Sequence, residues 1–150
     1  FDLTIHDIDL LRFLTNSEVK SVYAVSGSFI SEKLEDFVTV ILKFENGIQA
    51  ICQTDWVSTA KVRDLCLNSQ NYHIKADYLT REIEMFGSKD KFESFKLPFE
   101  DSLSAEITDF LESVTNNTKT LVSGTDGLAA VKIVEACLES VKLSKEIYLV

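Results

Sequence analysis

Residues 37–56, FVTVILKFENGIQAICQTDW, hold the reading that decides the fold. Phe37 to Phe44 is mostly β-branched or aromatic, the composition of a strand. Ile48 to Trp56 alternates, with Ile48, Ala50, Cys52, Thr54 and Trp56 on one face. Between them Glu45-Asn46-Gly47 is a hairpin signal, because Asn and Gly tolerate the left-handed backbone that a tight reversal needs. The second face of Ile48 to Trp56 is Gln49, Ile51, Gln53 and Asp55, which is mixed, and Phe37 to Phe44 is largely apolar on both faces. A sheet apolar on its open side pairs with another domain or subunit.

Working outward, Val19 to Phe29 adds a strand before the hairpin. Lys61 to Asn68, Tyr72 to Ala76 and Tyr78 to Phe86 add three after it. Gly87-Ser88-Lys89-Asp90 reads as a turn and Lys91 to Phe99 as an edge strand, where Pro98, the only proline, costs no ladder bond. Then the period changes. Leu103, Ile107, Phe110, Leu111 and Val114 recur at helical spacing behind Asp101 or Ser102 as cap. Ser123-Gly124-Thr125-Asp126 fits a capping box, followed by a stripe of Val131, Val134, Leu138 and Val141. Ile147 to Val150 closes as a strand. With residues 3–15 helical and stopped by Asn16-Ser17, the order is helix, strands, two helices, strand. That predicts a single α+β domain over residues 1–150: a large, mostly antiparallel, open-faced sheet with helices packed on one face.

Bulk properties narrow the function. The 150 residues are 45% hydrophobic and 26% charged, enough for a core, and the net charge of −9 argues against nucleic acid or an anionic membrane as partner. No run approaches the ~20 apolar residues of a membrane span. Cys52, Cys66 and Cys137 are odd in number and unpaired by spacing, which fits reduced, packed thiols in a cytoplasmic protein. A hydrolase using His6 with Cys52 or Cys66 lacks a signature for the third, orienting group. None of the five glycines makes a GxGxxG turn, and His6 and His73 have no ligand-spaced Cys or Glu set, so neither a nucleotide loop nor a metal site is expected. His73, in a strand-like run, reads as surface or structural.

The first helix carries the chemistry. On a wheel of ~100° per residue, Asp2, His6, Asp9 and Phe13 share a narrow face. Most of the rest is apolar, with Asp7 and Arg12 as charged exceptions. A helix apolar almost all round is buried, so its polar stripe faces a partner, a cavity or a ligand. Asp2 and His6, four apart, put a carboxylate beside an imidazole, which either tunes a general acid–base or forms a structural hydrogen-bonded pair. Asp9 holds the other side or ties the helix to the sheet.

Asp2-Leu3-Thr4-Ile5-His6-Asp7-Ile8-Asp9 resembles the D-x-x-x-H-x-x-D helix opening of the glucose–fructose oxidoreductase / inositol dehydrogenase / MocA family. The resemblance runs on in order through Phe44-Glu45-Asn46-Gly47, Lys61-Val62-Arg63, Ala76-Asp77-Tyr78 and Ser123-Gly124-Thr125-Asp126-Gly127. It implies the C-terminal, substrate-side domain of an NAD(P)-dependent dehydrogenase of a sugar, cyclitol or nucleotide-sugar. NAD or NADP would sit on an N-terminal Rossmann domain absent from this chain, which opens on Phe1 rather than Met. His6 would then be the acid or base on a substrate hydroxyl and Asp2 would bind or orient it. The open sheet face would carry a homodimer or tetramer, and the isolated chain would be inactive. Lys61 and Arg63 are either cations for a substrate carboxylate or phosphate, or a solvated strand edge. Trp56 either stacks on a sugar or fills a core or interface. The rival to all of this is a non-catalytic dimerisation or ligand-binding module of the same fold.

Overall fold

The structure, a computed structural model, describes residues 1–32, 34–88 and 91–149. Lys89 and Asp90 of the expected turn, and Val150 of the expected last strand, lie outside the described residues. The chain is α+β, and its strands are all antiparallel, set in two four-stranded sheets. Two compact units result, Phe1–Ser58 with Leu121–Val150, and Thr59–Thr120.

The first unit holds α1 (Thr4–Thr15), β1 (Val19–Gly27), β2 (Phe37–Phe44), β3 (Gln49–Asp55), α3 (Gly124–Leu143) and the two-residue β8 (Ile147–Tyr148). Its sheet runs β3-β2-β1-β8. Alternation decides what is inside: Val22 and Ala24 of β1, Val38, Val40, Leu42 and Phe44 of β2, and Cys52 of β3 are all buried. α1 and α3 cover that face with Ile8, Leu11, Ala130, Ile133, Ala136 and Cys137.

The hairpin forms as expected. Gly47 takes φ 88°, its N–H donates to the Phe44 carbonyl at 3.0 Å, and the Phe44 N–H donates to the Ile48 carbonyl at 2.9 Å. The turn also holds the end of α1, since the Asn46 side-chain amide donates to the Thr15 carbonyl at 3.1 Å. Asn16 stops that helix in the left-handed conformation.

Two expectations need correction here. α1 is not buried on nearly all sides. Only Thr4, Ile8 and Leu11 are inside, while Phe13 is 65% exposed, because α3 and β3 cover one side of it. α3 turns a different stripe inward from the one expected. Ala130, Ile133, Ala136, Cys137 and Ser140 face the sheet, whereas Val131 and Leu138 are exposed and Val134 and Val141 half-buried. Small side chains let the helix approach the strands closely enough for the Ala24 N–H to donate to the Ser140 hydroxyl at 3.0 Å.

The second unit holds β4 (Asp64–Asn68), β5 (Tyr72–Asp77), β6 (Glu82–Gly87), β7 (Lys91–Lys96) and α2 (Ser102–Asn116), with the sheet in sequential order. Register gathers Leu65, Leu67, Ile74, Ala76, Ile83, Met85 and Phe95 on one face. Asp101 caps α2 by accepting the Ser104 N–H at 3.0 Å. No described helix is long and apolar enough to cross a membrane.

Candidate functional site

The site-bearing helix opens without a side-chain cap: the Ile5 N–H donates to the Phe1 carbonyl and the His6 N–H to the Leu3 carbonyl. α1 begins at Thr4, so Asp2 lies in the preceding turn. Asp2 and His6 are both exposed, and no hydrogen bond joins them among the described residues. Asp2 lines a shallow hollow with Phe37, Thr54 and Trp56, while His6 stands outside that hollow on the first turn of α1. Trp56 is 65% exposed, so it is neither a core residue nor covered within the unit, and its backbone N–H is fixed to the Asp36 carbonyl at 2.8 Å. The rim beside it is tied together by hydrogen bonds. The buried Asp36 carboxylate accepts the backbone N–H groups of Ile30, Ser31 and Phe29 at 2.6–3.0 Å, which holds its pKa below the ordinary aspartate value.

Asp9 is part of an ion-pair group that sequence reasoning missed. The Arg12 side chain is only 10% exposed, donates to both Glu18 oxygens at 2.7 and 2.9 Å, and lies 3.6 Å from Asp9 and 3.7 Å from Asp126. The hydrogen bond to Glu18 raises the guanidinium pKa and lowers that of Glu18. An arginine flanked by Leu10, Leu11, Phe13 and Leu14 was the available signal, since a buried cation needs partners. Equally unread was Thr4, fully buried, whose hydroxyl meets that of Thr54 on β3 at 2.7 Å.

Lys61 and Arg63 belong to the second unit and are exposed. Arg63 lies 5.7 Å from the Tyr78 ring centroid, and its carbonyl accepts the Tyr78 N–H at 2.9 Å. His73 has a structural setting: its Nδ1 sits 2.8 Å from the Asn68 side-chain oxygen and its ring lies against Phe86. Cys52 and Cys137 are buried, and burial pushes both thiols up to about 12, far from a reactive thiolate. Cys66 departs from the expectation of a packed thiol and is exposed, because the face of β4 that carries it is uncovered.

The start of α3 does not fit a dinucleotide phosphate. The N-terminus of α3 is the one helix start with adjacent glycines, Gly124 and Gly127. Its capping box is already closed by Ser123 and Asp126, with Asp126 accepting the Ser123 N–H at 2.9 Å. A carboxylate there repels a phosphate.

The structure thus leaves a carboxylate, an imidazole and an indole exposed around the start of α1 and the end of β3, with Asp2 and Trp56 lining one hollow. The chain belongs to the GFO/IDH/MocA C-terminal domain family, which residues 1–93 match. It is 30% identical over 151 residues to the uncharacterized oxidoreductase YrbE of Bacillus subtilis, covering 93% of this chain and 44% of that protein. With UDP-N-acetylglucosamine 3-dehydrogenase of Acidithiobacillus ferrooxidans it shares 28% identity over 159 residues, 99% of this chain and 49% of that one. The solved structure of that enzyme, GnnA, is similar with a TM-score of 0.81 at 26% identity, over 91% of this chain and 46% of that chain. Levoglucosan dehydrogenase, solved with NADH and levoglucosan, shares the fold with a TM-score of 0.88 at 19% identity, over 99% of this chain and 49% of that chain. The chain spans about half the length of the curated relatives it matches.

Proposed function

We propose that this chain is the substrate-side domain of an NAD(P)-dependent dehydrogenase acting on a hydroxyl or carbonyl of a sugar, cyclitol or nucleotide-sugar. The observation that carries the reading is the hollow lined by Asp2 and Trp56, with His6 exposed on the first turn of α1, all within the residues that match the family. The dinucleotide belongs on an N-terminal Rossmann domain of the whole protein. The share of this chain is the proton and the substrate's orientation. The His6 imidazole takes the proton of the substrate hydroxyl in oxidation and returns it in reduction. Asp2 accepts a hydrogen bond from a neighbouring hydroxyl, Asp9 supports the same helix face, and Trp56 offers a ring to the C–H face of a sugar. Alone, the 150 residues work as one domain without turnover or nucleotide affinity.

The whole protein is cytoplasmic and assembles as a dimer or tetramer through the open sheet face. Tyr23, Ile41 and Ile51 support that assembly: they are paired directly across β1, β2 and β3 and remain 38%, 36% and 73% exposed. The same row favours the second reading, a module that only assembles or binds.

Nicotinamide reduction by the full-length protein, measured against a panel of sugars, cyclitols and nucleotide-sugars, separates the two. The dehydrogenase reading expects turnover that falls roughly 100-fold or more in His6→Ala. Turnover untouched by the substitution removes His6 from the chemistry. No turnover together with no nucleotide binding leaves the module.

A further inference from the structure

α1 presents His6 to the outside while being gripped from the inside, and the grip is polar at both ends. Near its start, Thr4 is fully buried and its hydroxyl meets Thr54 of β3 at 2.7 Å. At its far end, the Arg12 guanidinium is held by Glu18 and Asp126, and also donates to the Asp126 carbonyl at 3.4 Å. Between the two lie Ile8 and Leu11, buried but without direction. Apolar packing resists a roll but is not directional, whereas a hydrogen bond of 2.7 Å weakens steeply with distance and angle. Thr4 is two residues from His6, about 200° around the wheel, so the buried hydroxyl lies nearly opposite the exposed imidazole. Thr54 is likewise two residues from Trp56, so one contact references both the helix and the indole to the same strand.

We infer that Thr4 and Thr54 are positioning residues that set the azimuth of α1 and so the place of His6 relative to Trp56. The inference rests on the reading of His6 given above. A roll of about 10° moves a side-chain tip ~6 Å from the helix axis by about 1 Å. A displacement of that size costs catalysis up to about 100-fold when it shifts a reacting group. Arg12 does not fix the roll alone, because its main partner, Glu18, is itself 66% exposed at the side chain.

The test uses the full-length protein and the paired substitution Thr4→Val with Thr54→Val, which removes both hydroxyls and leaves neither unpartnered. The expected result is a kcat about tenfold lower, KM within about twofold of wild type, and a melting temperature within a few degrees. Thr54→Ser with Thr4 intact, which keeps the hydroxyl pair, leaves kcat at the wild-type level. In the His6→Ala background the paired substitution has no further effect on the residual rate. An unchanged kcat overturns the inference, as does the same loss in both backgrounds. If the parent protein shows no turnover, or His6→Ala leaves turnover intact, the reading of His6 has failed. The geometry is then tested by the ¹³Cε1 NMR signal of His6, assigned by its loss in His6→Ala. A signal that moves in the paired variant upholds the positioning claim, and one that stays put overturns it.

Discussion

The two four-stranded sheets are alike in connectivity and unlike in what covers them. In the first unit every strand of the hairpin and its neighbour turns one face into a dry core under α1 and α3. In the second unit none of the described strand residues is buried, and Ser113 of α2 is the one buried residue among those described. The second sheet is nonetheless clearly two-faced, with seven apolar residues from Leu65 to Phe95 on one side. Alternation makes a sheet face, and only a covering element makes a core. The lesson for function is that the candidate site sits where the covered sheet meets its helix, since a reacting group needs a fixed support.

That contrast can be broken by experiment, most sharply through the thiols. In the native protein Cys66 reacts with a thiol reagent at once, whereas Cys52 and Cys137 react roughly 10³-fold or more slowly, because they must await opening of the core. Equal rates for all three would place the core elsewhere. The same two thiols set an alkaline limit. Burial favours their neutral form and raises both to about 12, so their contribution is complete below the ordinary thiol range of about 8.5. It is lost as pH rises from there through 12. Urea midpoints should fall across that window, less steeply in Cys52→Ala where only Cys137 remains, whereas a flat wild-type profile refutes the assignment.

Core substitutions come next in size. Leu42→Ala, at a fully buried position under the helices, should cost about 2–5 kcal/mol in urea unfolding. Ile83→Ala, half-buried in the second sheet, should cost about 1 kcal/mol. Similar losses would mean that the second sheet is covered in the whole protein.

The outer face of the covered sheet gives a third measure. Ile51→Lys on the exposed row should weaken self-association of the whole protein roughly 100-fold by light scattering, with the fold intact. Unchanged association moves the interface elsewhere.

Arg12→Met should cost about 1–2 kcal/mol, between a surface pair and a buried one, because Glu18 is largely in water. The Arg12 hydrogen bond lowers the Glu18 pKa, so the pair stabilises above the ordinary carboxylate range and its contribution fades as pH falls through the lowered value. Wild type and variant should therefore converge in acid. A gap that persists there would assign the loss to packing rather than charge.

Much of this was legible in the sequence wherever local chemistry decides. Asn46-Gly47 needs only its own backbone, Asn16 and Asp101 end and begin helices by adjacent hydrogen bonds, and Ser123 with Asp126 closes a box within four residues. The polar stripe of the first helix was legible only in part: His6 is exposed, but Asp2 lies in the turn before the helix and Asp9 lies against Arg12. What was not legible depends on distant partners. Val131 and Leu138 outrank Ala130 and Ala136 in hydrophobicity, but the narrow gap above β1 selects the small residues for the inside of α3. Cys66 lies in a strand whose pattern promises burial, and nothing in that pattern says that no helix covers it. The Thr4–Thr54 contact spans 50 positions and has no periodic signature at all.

The most direct test of the central claim is kcat/KM for the full-length protein and its His6→Ala variant, side by side on the best substrate of the panel. The account predicts a value roughly 100-fold or more lower in the variant. Equal values for the two would contradict it.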